Sequence, residues 1–168
     1  MPRISFVKTC LAFFVVVSTT LGASARDLRL EEFFLGHTTA VGKFTTITGF
    51  ERGFKLNLFG RFNGKTLTLR EDFIYDDGER ERKTWRFTIT GKNTYSGIRE
   101  DMLAPTTVTV DGDTATFNYR LNLEPEGRNI VRLYDTMVLS ADGKSLLNTA
   151  KVFKGPLRVG SVRVDFER

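Results

Sequence analysis

Residues 67–91 read LTLREDFIYDDGERERKTWRFTITG, two alternating segments joined by Asp77-Gly78. Leu69 and Phe73 share one face of the first segment, and Trp85 and Phe87 share one face of the second. Alternation interrupted by Asp-Gly is typical of a β-hairpin, because that dipeptide accepts the positive φ angles of a tight turn. The stretch therefore predicts a hairpin with one apolar face.

Polar residues interrupt this apolar face and others. Glu71 falls by parity in the middle of the hairpin's apolar face, and Asp135 and Asn148 occupy similar positions in later segments; Arg99 and Asp101 are candidates to join them. Polar groups in such places need a partner or a ligand. One interpretation is a ligand anchor in an otherwise apolar cavity. The other is a buried ion-pair network, Arg99 with Glu71, Asp101 or Asp135, that specifies strand register and contacts no ligand.

Aromatic residues are the second feature of the apolar faces. They would line a cavity for a small apolar or amphipathic ligand, or they would fill the core, which is the commoner outcome. The volume left inside the fold decides between the two. The aromatic set consists of Phe54, Phe62, Phe73, Trp85, Phe87, Phe117 and Tyr119.

Turn signals recur at near-regular intervals after residue 36, and the segments between them alternate apolar and polar residues. One apolar face per strand is typical of antiparallel sheets, and the short connections leave no room for crossover helices. Long meandering strands close most economically into a barrel, which removes exposed edges. We therefore expect an all-β fold, an antiparallel up-and-down, lipocalin-like barrel of about ten strands. A short helix is expected before it, over residues 27–36, with Asp27 as N-cap and Gly36 at its far end.

The first 25 residues are typical of a cleaved secretory signal peptide. Arg3 and Lys8 precede an apolar run over residues 9–22, and Ala23-Ser24-Ala25 offers small residues to a signal peptidase. The run is shorter than the roughly 20 apolar residues of a membrane-spanning helix, which favours cleavage near Ala25 over a retained anchor. We expect residues 26–168 to form one exported domain.

Composition argues against several kinds of site. Cys10 is the only cysteine and lies in the signal, so the mature chain has no thiol for a disulfide, a nucleophile or a metal. His37 is the only histidine, and a Gly-rich phosphate loop is missing from the sequence. We expect no metal, no cofactor and no catalytic residues. An isomerase or cyclase inside the barrel is the least supported alternative, for lack of a placed acid/base pair.

The charge is modest. The formal net charge is +5, and it falls to +3 when Arg3 and Lys8 are removed with the signal. An exported protein of this charge is not expected to bind nucleic acid. The run Glu-Arg-Glu-Arg-Lys at 79–83 could make peripheral contact with an acidic membrane surface or an anionic ligand, but its alternating signs beside a turn favour a solvated hairpin end.

Several spaced motifs resemble a bacterial envelope family known as the lipocalin-like domain of unknown function number 3833. The resemblance covers roughly residues 33–166, and it implies a lipocalin-like barrel in the periplasm of a Gram-negative bacterium; it implies no reaction. The motifs are Leu69-x-Glu71-Asp72-Phe73-x-Tyr75-x-Asp77-Gly78, Trp85, Tyr95-x-Gly97-x-x-x-Asp101, Tyr119-x-Leu121, Asp135, Leu147-Asn148 and Lys151-x-Phe153 with Gly155 and Gly160.

Three functions follow from these observations. The first is a periplasmic binding or carrier protein for a small lipophilic ligand. Its expected cavity residues are Glu71, Phe73, Trp85, Phe87, Arg99, Asp101, Phe117, Tyr119, Asp135 and Asn148. The second is a structural or envelope-stress barrel, solidly packed and without ligand. The third is a small outer-membrane barrel, which requires the apolar faces to point outwards into lipid.

Overall fold

The hairpin predicted from residues 67–91 is present. In the computed structural model, which describes residues 26–124 and 129–168, strands β3 (Thr66–Tyr75) and β4 (Arg80–Gly91) pair antiparallel. Leu69 lies opposite Trp85 and Glu71 lies opposite Lys83. Gly78 adopts a φ of 86° in the turn, a conformation that glycine reaches without strain.

Ten strands of the described chain form one closed antiparallel barrel, as the alternation predicts. Each strand pairs with its neighbours in sequence, and β1 closes the ring by pairing with β10. The remaining strands are β1 (Gly36–Thr46), β2 (Glu51–Phe62), β5 (Thr94–Ile98), β6 (Thr106–Asp111), β7 (Thr114–Asn122), β8 (Ile130–Leu139), β9 (Ser145–Lys154) and β10 (Leu157–Glu167). The segments that cover the expected signal peptide and most of the turn at 124–127 lie outside the described residues.

The apolar faces point into the barrel, where they form one core. Leu58, Leu67 and Val108 are examples of side chains that are almost fully buried there. An outer-membrane barrel would need these faces to point outwards, so the observed orientation contradicts that alternative. No helix in the described parts of the chain is long and apolar enough to span a membrane.

The helix α1 (Leu30–Phe33) is a single turn, shorter than predicted. Its N-cap is Arg29, which makes no side-chain capping bond, and the expected N-cap at Asp27 is wrong. The reason is a tertiary contact: the Leu28 N–H donates to the Gly112 carbonyl at 2.8 Å, which holds the chain before the helix against the β6–β7 turn. Gly36 begins β1 with a φ of 83°.

Helix α1 closes one end of the barrel. Leu30 and Phe34 are fully buried, and the Phe34 ring lies edge-on to Phe166 at 5.4 Å between centroids. Gly60 on β2 approaches the helix so closely that a Cβ there would lie 1.7 Å from the Phe34 carbonyl oxygen. Only glycine fits at such a close approach.

A buried carboxylate attaches this helix to the barrel wall. Glu31 Oε2 accepts a hydrogen bond from the Tyr95 hydroxyl at 2.6 Å, and Oε1 accepts from the Arg29 Nη2 group at 2.7 Å. The amphipathic pattern alone predicts an exposed Glu31, so this contact is a finding of the structure. Burial on its own raises the pKa of Glu31, but the bonds from Tyr95 and Arg29 bring the pKa below its ordinary value.

The two ends of the described chain meet at the closed end. The Arg26 side chain lies against Gly143 in the β8–β9 turn, and the Arg168 N–H donates to the Lys144 carbonyl at 3.2 Å. The β1–β2, β3–β4, β5–β6, β7–β8 and β9–β10 connections lie at the opposite, open end.

Candidate functional site

A cavity of about 660 Å³ occupies the open half of the barrel. Its wall is mainly apolar, with Phe54 and Leu56 from β2, Leu133 from β8 and Val162 and Val164 from β10 among the lining side chains. These residues are the inward half of the alternating strands, so the same pattern that builds the barrel also builds the cavity wall.

Eight of the ten predicted cavity residues line this space. They are Glu71, Phe73, Trp85, Arg99, Asp101, Tyr119, Asp135 and Asn148. The structure thus brings together six separate parts of the sequence, on β3, β4, the β5–β6 connection, β7, β8 and β9.

Phe87 and Phe117 do not line the cavity, contrary to the sequence prediction. Both rings are buried, but Trp85 stacks on Phe87 with centroids 5.0 Å apart and contacts Phe117 edge-on at 6.1 Å. The two phenylalanines therefore belong to the packed half of the barrel, next to Trp85. Parity predicts that a side chain points inwards, but it does not predict the depth at which a cavity ends.

Arg99 is the centre of an ion-pair network on one wall. Its Nε and Nη2 groups donate to the two carboxylate oxygens of Asp101 at 2.8 and 3.0 Å. Its Nη1 lies 3.6 Å from Glu71 Oε2, and its guanidinium lies 5.2 Å from the centroid of the Trp85 ring. The expected pairing of Arg99 with Glu71 and Asp101 is therefore present, and it lies on the wall of the cavity.

Asp135 has a different partner. Its Oδ1 accepts a hydrogen bond from Asn148 Nδ2 at 2.7 Å, between the neighbouring strands β8 and β9. The Tyr119 hydroxyl faces this carboxylate and helps to hold its pKa down. In turn, burial and the charge of Asp135 raise the pKa of Tyr119 well above its ordinary value.

Three acceptor atoms on the cavity wall are left without a hydrogen-bond partner among the described residues. They are Glu71 Oε2, whose one polar partner is the ion pair with Arg99 Nη1 at 3.6 Å, Asp135 Oδ2 and Asn148 Oδ1. A buried polar atom without a partner costs about 1–3 kcal/mol. The wall is therefore incomplete as a packed core, and it is suited to a molecule that supplies donors.

Burial changes the protonation of both inner carboxyl groups. It raises the pKa of Glu71 to about 7, against the attraction of Arg99. It also raises the pKa of Asp135 to about 6, although the hydrogen bond from Asn148 favours the charged form. Both groups titrate near neutral pH, where their ordinary counterparts are fully ionised.

A chain of charged and aromatic side chains leads from the mouth to this wall, and sequence analysis missed it. Lys83 Nζ bridges Glu81 Oε1 at 2.7 Å and Asp101 Oδ2 at 3.4 Å, and Glu81 also accepts from the Tyr75 hydroxyl at 3.0 Å. The Arg52 guanidinium lies over the Tyr75 ring at 3.8 Å. The solvated hairpin end expected at 79–83 is therefore present at Glu79, Arg80 and Arg82, whereas Glu81 and Lys83 are half-buried and line the cavity.

The missed signal was again parity. Glu81 and Lys83 share the inward face of β4 with Trp85, whereas Arg80 and Arg82 are exposed.

Among the described residues, no group of three His, Cys, Asp or Glu side chains is placed to hold a metal ion.

Comparison with known families gives a match over most of the chain. The pattern of the family described as Protein of unknown function (DUF3833) matches residues 11–168. The protein is a member of the DUF3833 family. The resemblance predicted from the hairpin and the later motifs is thereby confirmed. The match extends over the whole barrel of this DUF3833 member, and no curated protein matches the sequence.

Two solved structures share the fold at low sequence identity. Rv2717c from M. tuberculosis has 14% identity and a TM-score of 0.59, with 84% of this chain and 99% of that chain covered. The S-type phycobiliprotein lyase CPES from Guillardia theta has 7% identity and a TM-score of 0.55, with 81% of this chain and 87% of that chain covered. At these identities the likeness supports only the barrel fold of the DUF3833 member and says nothing of its function.

Proposed function

We propose that this protein is a non-catalytic carrier that holds one small amphipathic molecule inside its barrel and works in the periplasm. The observation that carries the proposal is the cavity of about 660 Å³, closed by α1 at one end and open at the other. Pockets for small ligands typically have volumes of about 300–1,000 Å³ and mainly apolar walls with a few polar groups. The cavity has both properties.

The distribution of polar groups suits an amphipathic molecule. Glu71, Arg99 and Asp101 lie on one part of the wall, and Asp135 with Asn148 lies on the β8–β9 part. The β2 and β10 side of the wall is apolar except for Arg52, which lies at the mouth. A ligand with one polar and one apolar end can contact both sides at once. The structural alternative, a solidly packed barrel, predicts no such space.

The periplasmic part of the proposal rests on the sequence of the first 25 residues. It predicts that the protein recovered from the cell envelope begins at Arg26, which intact-mass measurement of the purified protein tests. Recovery of the full chain from the cytoplasm would overturn this part and leave the binding proposal in place.

Trp85 provides the test of binding, because it is the only tryptophan in the chain and it lines the cavity. A bromoalkyl amphiphile that enters the barrel should quench Trp85 fluorescence saturably at one molecule per chain. Ala150, also on the cavity wall, can be replaced by phenylalanine to fill the space. We expect Ala150→Phe to reduce the affinity roughly tenfold or more, since the added ring occupies the volume of the ligand.

The matched control is Ala104→Phe, which adds the same ring at an exposed position outside the barrel. It should bind as the wild type does. Unsaturable quenching, or equal affinity in the two variants, would overturn the proposal. The ligand extracted after incubation should have an unchanged mass and an unchanged chromatographic retention time; a change in either would overturn the non-catalytic part.

A further inference from the structure

The buried polar atoms of the cavity wall that lack a hydrogen-bond partner are acceptors. Glu71 Oε2, Asp135 Oδ2 and Asn148 Oδ1 have no hydrogen-bond partner among the described residues, and the Glu71 and Asn148 side chains line the cavity. All three atoms are oxygens. The three atoms are almost fully buried, so a small side-chain rotation must expose them before a molecule that supplies N–H or O–H groups can satisfy them. A molecule that brings only acceptors cannot satisfy them.

The orientation of Asn148 is fixed by its neighbour. Its Nδ2 group donates to Asp135 Oδ1 at 2.7 Å, and turning the amide over would bring two oxygens together. Because the donor side of the amide is used, its Oδ1 is left as an acceptor. The Asn148 amide therefore contributes one more unpartnered acceptor to the wall and no free donor.

The two cations next to the three acceptors are already engaged, whereas Arg52 and Lys154 line the cavity nearer its mouth. Arg99 donates twice to Asp101 and faces Glu71, and Lys83 bridges Glu81 and Asp101. An incoming carboxylate would have to displace Asp101 from Arg99 and would lie beside Glu71 and Asp135. Two buried like charges at close range repel each other strongly.

We propose that this wall selects amphiphiles whose head group is a hydrogen-bond donor, a primary amine or a hydroxyl, and rejects those with a carboxylate head. The inference rests on the proposed carrier function, and it adds the chemical class of the ligand. The head group lies against Glu71, Asp135 and Asn148, and the alkyl chain lies along the apolar β2 and β10 side. The Tyr119 hydroxyl, which lies beside Asp135, is a donor for the ligand oxygen when the head is an alcohol.

The experiment compares three bromoalkyl probes of equal chain length that differ only in the head group. They are 11-bromoundecylamine, 11-bromoundecanol and 11-bromoundecanoic acid, and each is titrated against the full chain with Trp85 fluorescence as the readout. At slightly alkaline pH we expect the amine and the alcohol to bind at least about tenfold more tightly than the acid, the ratio that one satisfied buried acceptor gives.

Two conservative variants locate the selection. Glu71→Gln and Asp135→Asn keep the volume of the side chain and remove its charge, so each should reduce the preference for the amine over the acid by several-fold. Glu167→Gln, at an exposed position near the closed end, is the control and should leave the preference unchanged. Urea unfolding of each variant shows whether it is folded during the titration.

The outcomes separate this inference from the carrier function. Equal binding of all three probes, or tighter binding of the acid, overturns the head-group selection and leaves the carrier in place. Quenching by none of the probes overturns both. A preference that survives unchanged in Glu71→Gln and Asp135→Asn also overturns the inference, because the selection would then arise elsewhere.

A second and independent observation concerns the rim of the open end. Ile47 and Leu157 expose 70% and 68% of their surface at the tips of the β1–β2 and β9–β10 connections. The two connections are joined, since the Ile47 N–H donates to the Val159 carbonyl at 3.1 Å. Phe50 and Leu123 are exposed on the same rim. Exposed apolar side chains gathered at one place on a monomer indicate an interaction surface.

The charges around the rim are unevenly distributed. Lys154 and Arg158 flank Leu157, whereas the β3–β4 turn, which neighbours the β1–β2 connection, carries Asp76, Asp77 and Glu79, the last two of them paired with Arg52. We infer that the edge formed by Ile47, Phe50, Leu157, Lys154 and Arg158 docks on a bilayer that contains anionic phospholipids. Its apolar tips enter the headgroup region, and its cations contact lipid phosphates.

Co-sedimentation with phosphatidylethanolamine vesicles, with and without phosphatidylglycerol, tests this docking. We expect binding that rises with phosphatidylglycerol and that falls about tenfold or more in Ile47→Asp/Leu157→Asp, because charged side chains do not enter the apolar boundary. The control is Val41→Asp/Val138→Asp, which alters two apolar residues exposed on the barrel wall. It should bind as the wild type does.

Three results would overturn the docking. They are failure of the wild type to sediment with either vesicle, an equal loss in both double variants, and binding that does not depend on phosphatidylglycerol. Self-association of the wild type that is lost in Ile47→Asp/Leu157→Asp, without vesicle binding, would assign the edge to a second copy of the chain.

Discussion

Glu71 makes the stability of the protein depend on pH. The pKa of this buried carboxyl is raised from 4.5 to about 7. Folding therefore favours the protonated form of Glu71. The stability that this carboxyl group contributes is complete below about pH 4.5 and is lost as the pH rises through 7. We expect the difference in unfolding free energy between Glu71→Gln and the wild type to grow by on the order of 3 kcal/mol over that range.

Urea unfolding of the wild type and Glu71→Gln at several pH values measures this difference. Glu71→Gln should gain stability relative to the wild type at alkaline pH and should match it most closely at acidic pH. Glu167→Gln is the control, and its curve should run parallel to that of the wild type. A constant difference between Glu71→Gln and the wild type would show that this carboxyl has an ordinary pKa.

At the level of single residues, parity predicted much of the site. It placed Glu71, Asp135 and Asn148 on inward faces, because successive side chains of a strand point to opposite sides. It did not separate Trp85, which lines the cavity, from Phe87, which does not. Depth along the barrel axis depends on strand tilt and on what fills the closed end, and neither is encoded in a two-residue period.

The helix α1 is stable in its place because of one long-range contact. Tyr95 and Glu31 are 64 residues apart in sequence and 2.6 Å apart between their oxygens. We expect Tyr95→Phe to lower the unfolding free energy by about 1–3 kcal/mol, since it leaves a buried carboxylate oxygen without its donor. Thermal or urea unfolding measures the loss.

The control for this element is Tyr134→Phe, which removes a hydroxyl on the outer face of β8. It should change the unfolding free energy little. Equal effects of the two substitutions would show that the Tyr95 hydroxyl does not hold the helix.

Local sequence could not predict this contact. The pattern of α1 predicts an amphipathic helix, but the conformation depends on tertiary contacts with the turn at Gly112 and with Tyr95 on the barrel wall.

The barrel as a whole follows from the sequence more directly than its interior does. Turns such as Asn63-Gly64 and Asp142-Gly143 and the alternation between them predict the meander and its closure. The cavity of about 660 Å³ does not follow from them, because it is the space that side chains from ten strands leave unfilled. Small differences in side-chain volume decide whether such a space exists.

Ligand binding should stabilise the whole molecule. A ligand that binds only the folded state adds about 2.7 kcal/mol at a concentration of 100 times its dissociation constant. We therefore expect 11-bromoundecanol to raise the Tm of the wild type and of Ala104→Phe, and to leave Ala150→Phe nearly unchanged. Differential scanning calorimetry measures the shift. Equal shifts in all three proteins would place the probe outside the barrel.

The positions of Arg26 and Arg168 beside the β8–β9 turn have a practical consequence. A biosensor surface or a fluorescent label attached at Arg168 lies at the end of the barrel opposite the entrance, so immobilised protein should take up solute as freely as protein in solution. Because the attachment point and the entrance lie at opposite ends of the barrel, a protein tethered at its closed end could still present the entrance to a neighbouring surface.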